Sequence, residues 1–399
     1  MKHFISLLLC LSFTLCLFPK ISFGKNANSV ISCSVVSGYP FLYEETELDA
    51  KVLEDIKYSE MFNKQLDKLF EHWGNKYPEY YAGAFIEHLK LTLLVTCSPD
   101  TVREEICSAT GNNDIIIEQV PYSYNYLVSC QDEVLNKISV LQKNKAEYSE
   151  NIIECGIREK NNKIEITINK QSSKTIETIE KYFSEYEMIS VLVDNSPCQE
   201  ISNVTAGTDN YVKNATAGGY CTISFCASRV NSAGVTEKGF VTAGHAGSLN
   251  DVMKISTTNV GKVSWRKHSG NCDALFINMN DYPNSGYVRS SILSTNYLIT
   301  SCASVGAEGT TYVMHGKASG IVSGTVNKKS TSYTYSGTTF TDAIKMNLTA
   351  IAHDSGAPLV KTTSGNRRAV IGIAAYKQGS YTYFTKASNI MNSMNGSLF

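Results

Sequence analysis

The run Ile351-Ala352-His353-Asp354-Ser355-Gly356-Ala357-Pro358-Leu359 sets a serine between an acid and a glycine, just before an apolar, strand-like segment. Upstream, Gly239-Phe240-Val241-Thr242-Ala243-Gly244-His245 ends another such segment on a histidine. A serine hydroxyl is a poor nucleophile until a base takes its proton and fixed backbone N–H groups receive the charge developing on a substrate carbonyl. Small flanking residues suit that chemistry, because they let substrate and backbone approach closely. The chain therefore reads as a serine hydrolase, with Ser355 as the nucleophile and His245 as its base.

A third group should orient the imidazole and stabilise its charged form. Asp273 opens the apolar run Ala274-Leu275-Phe276-Ile277, and a carboxylate at the start of a buried strand has reason to be paired. Asp251, Asp281 and Asp342 stand in polar, turn-like contexts instead. Among the other histidines of this half, His268, His315 and His353 lack the small-residue approach of Ala243-Gly244, and His353 lies too close to Ser355 to be the obvious base. Cys221 and Cys226 approach zinc-ligand spacing without a second close pair, so neither a metal nor an organic cofactor is expected.

These residues need a scaffold, and the chain of 399 residues is long enough for two domains. Its net charge of −1 leaves no electrostatic footprint for nucleic acid, and no polybasic run points to a membrane surface. Protein, peptide or small-molecule partners remain. Met1 to Gly24 has a basic start, an apolar run from Phe4 to Phe18 and the small-residue ending Ser22-Phe23-Gly24. This is the pattern of a cleaved secretory signal, so the product is expected outside the cell. Removing Cys10 and Cys16 leaves six cysteines before residue 200 and Cys221, Cys226, Cys272 and Cys302 after it. Even counts favour disulfides within each half, and the last four allow three pairings. Asn203, Asn214, Asn347 and Asn395 head glycosylation sequons.

The two halves differ in character. From Glu44 to about Lys170 the chain is charged, with helical periodicity over Leu48 to Ile56 and Met61 to Phe70 and strand-like runs at Tyr81 to Ile86, Leu89 to Thr96 and Lys163 to Ile168. That half is a mixed α+β module. Beyond about Gly218 short strands separated by turn residues dominate: Thr222 to Phe225, Ala274 to Ile277, Tyr312 to Met314, Ala369 to Ile373 and Tyr381 to Phe384, with a helical tail from Ala387 to Met394. This half is an all-β barrel or sandwich. Asn195 to Gly219, polar and rich in Asn, Thr and Gly, reads as the linker between them.

Thr242-Ala243-Gly244-His245, Asp273-Ala274 and Asp354-Ser355-Gly356, in that order, resemble the catalytic motifs of chymotrypsin-like serine peptidases of the alpha-lytic protease and streptogrisin group. Cys221 to Phe225 and Thr382-Tyr383-Phe384-Thr385 resemble further segments of that group, and Tyr81 to Ile86 and Glu154-Cys155-Gly156-Ile157 resemble its pro-region. The resemblance implies two six-stranded antiparallel β-barrels with the active site between them, preceded by an α+β pro-region that assists folding and is then removed. It divides the chain into a signal peptide at 1–24, a pro-region at 25–204 and a protease domain at 205–399, with the mature start near Val204 to Gly207. It also implies that the backbone N–H groups of His353 and Ser355 form the oxyanion hole and that Ala375, Tyr376 and Lys377 line the substrate strand.

The chain departs from the group at several points. His353 stands where the group has glycine, so its side chain either reshapes the oxyanion hole or points to solvent and leaves the donor in place. Ala246 replaces a cysteine, Val313, Ser323 and Thr349 occupy other bridge positions, and Met314 takes the place of an arginine partner for Asp354. Bulk at Tyr376 narrows the expected primary pocket, and Lys377 favours an acidic side chain there. The sequence thus reads as a secreted serine endopeptidase made as a preproenzyme, acting through an acyl-enzyme on protein or peptide substrates. The alternative is a protease-shaped binding protein whose site His353 and Tyr376 have impaired.

Overall fold

A computed structural model describes residues 48–170, 172–200, 211–215, 218–255, 257–282, 292–294, 297–364 and 367–398. The expected signal sequence, Cys33, Asn203 and the expected mature start lie outside the described residues. The N-terminal region comprises α1 (Ala50–His72), β1 (Tyr81–Glu87), β2 (Lys90–Val95), α2 (Pro99–Thr110), β3 (Ile116–Gln119), α3 (Tyr124–Lys143), β4 (Ile152–Arg158), β5 (Lys163–Ile168), α4 (Ser173–Tyr182) and β6 (Ile189–Val193). The two helical patterns read before and after Met61 are one helix, α1, capped by the Asp49 carboxylate. Two small cores result. One joins α1 and α2 to the sheet β1-β2-β3, around Leu69, Leu91, Leu93 and Ile106. The other joins α3 and α4 to β4, β5 and β6, around Val134, Ile164, Ile166 and Ile179.

The rest of the chain is β7 (Cys198–Glu200), β8 (Tyr211–Asn214), β9 (Tyr220–Thr222), β10 (Phe225–Val230), β11 (Thr236–Thr242), β12 (Val252–Ile255), β13 (Thr258–Ser269) and β14 (Cys272–Asn278). These are followed by β15 (Ile292–Ser294), β16 (Tyr297–Cys302), β17 (Thr311–Gly316), β18 (Gly320–Tyr335), β19 (Thr338–Asn347), β20 (Pro358–Ser364), β21 (Arg367–Gln378), β22 (Tyr381–Lys386), α5 (Ala387–Met394) and β23 (Gly396–Leu398). In the first sheet the strands run β10-β11-β14-β13-β12-β8-β9. β23 pairs with the outer edge of β10, and only Ile223 and Ser224 separate β10 from β9 at the other end of the sheet, so the sheet must curl back on itself. Met253, Val260, Val263, Leu275 and Ile277 fill its interior.

The second set closes completely. β17 pairs with β18, β18 with β19, β19 with β22, β22 with β21, β21 with β20 and β20 with β17, all antiparallel. That ring is a six-stranded barrel filled by Met314, Ile344, Met346, Leu359, Ile371 and Phe384. A third cluster, with Phe225, Val241, Phe276, Val370 and Ile373 joined by Ile390 and Met394 of α5, packs the two barrels together. The all-β C-terminal half and α+β N-terminal half expected from sequence are both present. Within the expected linker, Tyr211–Asn214 form β8, which pairs with both β9 and β12 and buries Val212 fully.

Long β18 serves two neighbours. Its first part pairs with β17, while Thr331, Ser332 and Tyr333 pair with Gly156, Cys155 and Glu154 of β4. The N-terminal region is therefore an extension of the second barrel's sheet, and buried ion pairs cross the junction. Glu154 meets Lys328 and Lys345, Glu159 meets Lys329, and Arg158 meets Glu308. Burial pushes the Glu308 carboxyl up to about 7, against the opposing pull of the Arg158 guanidinium. A group whose value is raised on folding contributes stability below its ordinary value of 4.5 and loses it as pH rises through about 7. Glu308→Gln should accordingly flatten that part of the melting temperature profile between these two pH values, as read by circular dichroism.

The sequons separate by exposure. Asn214 is fully buried and its amide donates to the Asp251 carboxylate at 2.6 Å, which leaves no place for a glycan in the folded chain, whereas Asn347 and Asn395 are exposed. Cys97, Cys107, Cys130, Cys155, Cys272 and Cys302 stand as thiols. Burial pushes those of Cys155 and Cys272 up to about 12. Among the described residues no helix is long and apolar enough to cross a membrane.

Candidate active site

The end of β11, the start of β14 and the loop before β20 converge between the barrels, and they carry His245, Asp273 and Ser355. His245 Nε2 lies 2.6 Å from Ser355 Oγ, and His245 Nδ1 lies 2.7 Å from Asp273 Oδ2. Asp273 and Ser355 are fully buried and the His245 side chain is 2% exposed, so water competes little for these bonds. An ionised carboxylate only accepts, so His245 Nδ1 must donate to it; in the neutral imidazole Nε2 is then the acceptor for the Ser355 hydroxyl. Burial alone would raise the Asp273 carboxyl, but the imidazoles of His245 and His268 override it and hold Asp273 well below the usual carboxylate range.

The small residues around the motifs are required by contact. A Cβ on Gly244 would stand 2.6 Å from Asp273 Oδ1 and 2.7 Å from the backbone of Ala274. One on Gly356, whose φ is +84°, would stand 2.3 Å from Thr242 Oγ1 and 2.4 Å from the Thr222 carbonyl. The strand expected over Thr222 to Phe225 breaks between Thr222 and Phe225 for a related reason. Thr222, the last residue of β9, binds the loop that carries Ser355, its N–H donating to the Ser355 carbonyl and its hydroxyl to the His353 carbonyl, both at 2.7 Å.

His353 takes a φ of +86°, the region glycine prefers. The backbone turn is thus kept despite the side chain. Asp354 N–H is used internally, donating to the Ile351 carbonyl, while among the described residues the N–H groups of His353 and Ser355 donate to no protein acceptor. They are the pair an oxyanion would need. The imidazole packs edge-on to Tyr220 at 6.0 Å, and its buried Nδ1 has no hydrogen-bond partner among the described residues. Holding a histidine there is strained, so His353→Gly should raise unfolding free energy by about 1–2 kcal/mol in denaturant titrations while leaving both N–H groups in place.

The buried Asp354 carboxylate has backbone donors where the resemblance would supply an arginine. Ala318 N–H and Ser319 N–H reach Oδ1 at 2.9 and 3.1 Å, and Ile351 N–H reaches Oδ2 at 2.9 Å. Ala375 and Tyr376 are fully buried in β21 and Lys377 is half-buried. The Tyr376 ring lies 5.3 Å from that of His245. Along β21, Tyr376, Lys377 and Gln378 pair antiparallel with Glu200, Gln199 and Cys198 of β7. The strand expected to bind an extended substrate thus carries the chain's own residues.

One participant escaped the sequence reading. His268, set aside as a base, places Nδ1 2.7 Å from Asp273 Oδ1, so the carboxylate accepts from two imidazoles. The signal was in the sequence: Gly270-Asn271 is a hairpin turn, and the hairpin of β13 and β14 sets His268 directly opposite Asp273. The donor atoms of His245, His268 and Asp273 lie within 4.8 Å of one another, a spacing that would also suit a metal ion. Both imidazoles direct an N–H at the carboxylate, however, so hydrogen bonding already accounts for the arrangement.

Residues 49–120 match the family model of the Pro-like N-terminal domain. No curated protein matches the chain. Among solved structures, the chain is similar to Nocardiopsis protease (NAPase), at 22% identity over 48% of this chain and 96% of that one, with a TM-score of 0.37. Thermobifida fusca protease A is 21% identical over 48% and 96%, with a TM-score of 0.38. A protein described as alpha-lytic protease homolog N4 is 18% identical over 49% and 100%, with a TM-score of 0.37. The two-barrel fold rests on the strand pairing described above.

Proposed function

We propose that the chain is the precursor of a secreted serine endopeptidase whose N-terminal region is a pro-region. Ser355 attacks the scissile carbonyl and His245 takes its proton, then returns it to the leaving amine. Asp273 orients His245 and stabilises its imidazolium, and the N–H groups of His353 and Ser355 receive the charge on the tetrahedral oxygen. No metal or organic cofactor enters this chemistry. The observation that carries the reading is the continuous relay from Ser355 Oγ through His245 to Asp273, at 2.6 and 2.7 Å, beside two uncommitted backbone donors.

The pairing of β7 with Tyr376, Lys377 and Gln378, next to Ala375, supports this part of β21 as a strand that takes extended peptide. In the precursor that strand is blocked, so cleavage between β7 and β8, in the stretch that holds Val204 to Gly207, is the activating step. A fluorophosphonate probe on the processed protein tests the assignment. Labelling of wild type and none of Ser355→Ala is expected; absence of label on processed wild type would overturn the enzyme and leave the binding-protein reading.

His268 acts through Asp273 in this scheme. His268→Ala removes one donor from a buried carboxylate, a bond to a charged group worth about 1.5–3 kcal/mol, and should lower kcat about ten- to a hundredfold with KM little changed. His268→Asn, which keeps a donor, should recover part of the loss in steady-state assays.

A further inference from the structure

Away from the triad, the most fully built polar group is Glu154. Its buried carboxylate accepts from Lys328 Nζ at 2.8 Å and Thr331 Oγ1 at 3.2 Å on one oxygen, and from Lys345 Nζ and the Tyr383 hydroxyl, each at 2.6 Å, on the other. All four donors belong to the second barrel, while the acid belongs to the N-terminal region. Lys328 and Lys329 have their remaining ion-pair partners, Glu165 and Glu159, in that region as well. Removing the region strips three lysines of these acids and leaves the edge of β18 over Thr331 to Tyr333 without its partner strand. Open edges bind strands, because their N–H and C=O groups are unpaired.

We propose that the processed C-terminal domain carries an exosite for an extended acidic peptide segment, which adds to the β18 edge and places a carboxylate among Lys328, Lys345, Thr331 and Tyr383. The register also sets a second requirement. A Cβ at Gly156, two residues after the acid, would stand 2.5 Å from Thr331 Oγ1 and 3.1 Å from Thr331 Cα. The site therefore selects an acid followed two positions later by glycine. Contacts between the rings of Tyr383 and Tyr333, Tyr333 and Tyr376, and Tyr376 and His245 link the cradle to the catalytic histidine. An occupant would be a part of a protein substrate distant from its scissile bond. This inference rests on the reading that the N-terminal region is removed.

Two measurements test it. In the full-length Ser355→Ala chain, where the N-terminal region is retained, Glu154→Ala leaves the four donors around an empty space. Formate or acetate is expected to raise the melting temperature of this variant saturably, and to leave unchanged that of the Glu154 parent and of a variant that adds Lys328→Met and Lys345→Met. On the domain processed from wild type, a peptide of sequence 152–158 and an unrelated Thr/Val peptide carrying Glu-x-Gly should both bind. Gln at the acid or Val at the glycine should weaken binding at least tenfold. Equal binding of all peptides, binding of none, or rescue independent of the lysines overturns the exosite. If Glu154→Ala does not fold, the peptides alone decide. If the wild-type chain is never processed, it is the protease reading that fails, and the carboxylate rescue still decides whether the cradle selects an anion.

Discussion

Ser355→Ala is expected to abolish fluorophosphonate labelling and to leave the chain at full length, with peptide hydrolysis reduced by a factor on the order of 10⁴ to 10⁶. The substitution removes one oxygen from a fully buried position and adds nothing, so folding should be unaffected and the loss is chemical. His245→Ala should cost about as much, because each residue works only through the other across the 2.6 Å bond. The double variant should be scarcely worse than either single one, since groups that act as a unit are not additive. Mass analysis of the expressed chain reports processing, and hydrolysis of a peptide library reports turnover. Additive losses would show that Ser355 and His245 do not cooperate and would overturn the relay.

Glu154→Ala in the full-length chain carrying Ser355→Ala should lower unfolding free energy by about 3–5 kcal/mol, the cost of leaving buried charges without their partner. Lys328 is the reason for so large a figure. Its side chain is 1% exposed, so the ammonium cannot recover its hydration when the carboxylate is gone. For the intact residue, burial would raise the Glu154 carboxyl, but Lys328 and Lys345 outweigh it and hold the group below its ordinary value of 4.5. A lowered value means stability that is present above pH 4.5 and lost as pH falls toward the folded value. The acid limb of the stability profile should therefore weaken in the variant, a sign opposite to that expected for Glu308. Denaturant titrations at several pH values separate the two carboxylates.

Much of the candidate site was legible before any coordinates. Thr242-Ala243-Gly244-His245 and Asp354-Ser355-Gly356 are short motifs in which the small residues sit directly beside His245 and Ser355, so the pattern is visible locally even though the contacts that require it come from distant parts of the chain. Asp273 was legible because a carboxylate at the head of an apolar strand needs a partner. The helix at Ala387–Met394 and the strand at Tyr81–Glu87 followed from periodicity. His268 was missed because the reading asked which histidine serves the serine, and not which residues a two-residue hairpin turn would set beside the acid. Within the polar stretch read as a linker, β8 went unread because one buried apolar residue, Val212, is too little signal to mark a strand so short.

By itself the sequence determined the residue types able to activate a serine, their order along the chain and the division into an α+β half and an all-β half. Each of these is written in spacing and composition, which report on neighbours a few residues away. Tertiary structure alone decided what those groups face. Ser355 and His245 are 110 residues apart, and Glu154 and Lys328 are 174 apart. Lys328, Lys329 and Lys345 look like ordinary solvated charges on alternating strands until β4 arrives with its acids, because the energy of a charge depends on its surroundings and not on its place in the chain. Whether His353 keeps the backbone turn beside Ser355 was likewise decided by packing, which holds a histidine at a φ of +86° where local preference would have chosen glycine.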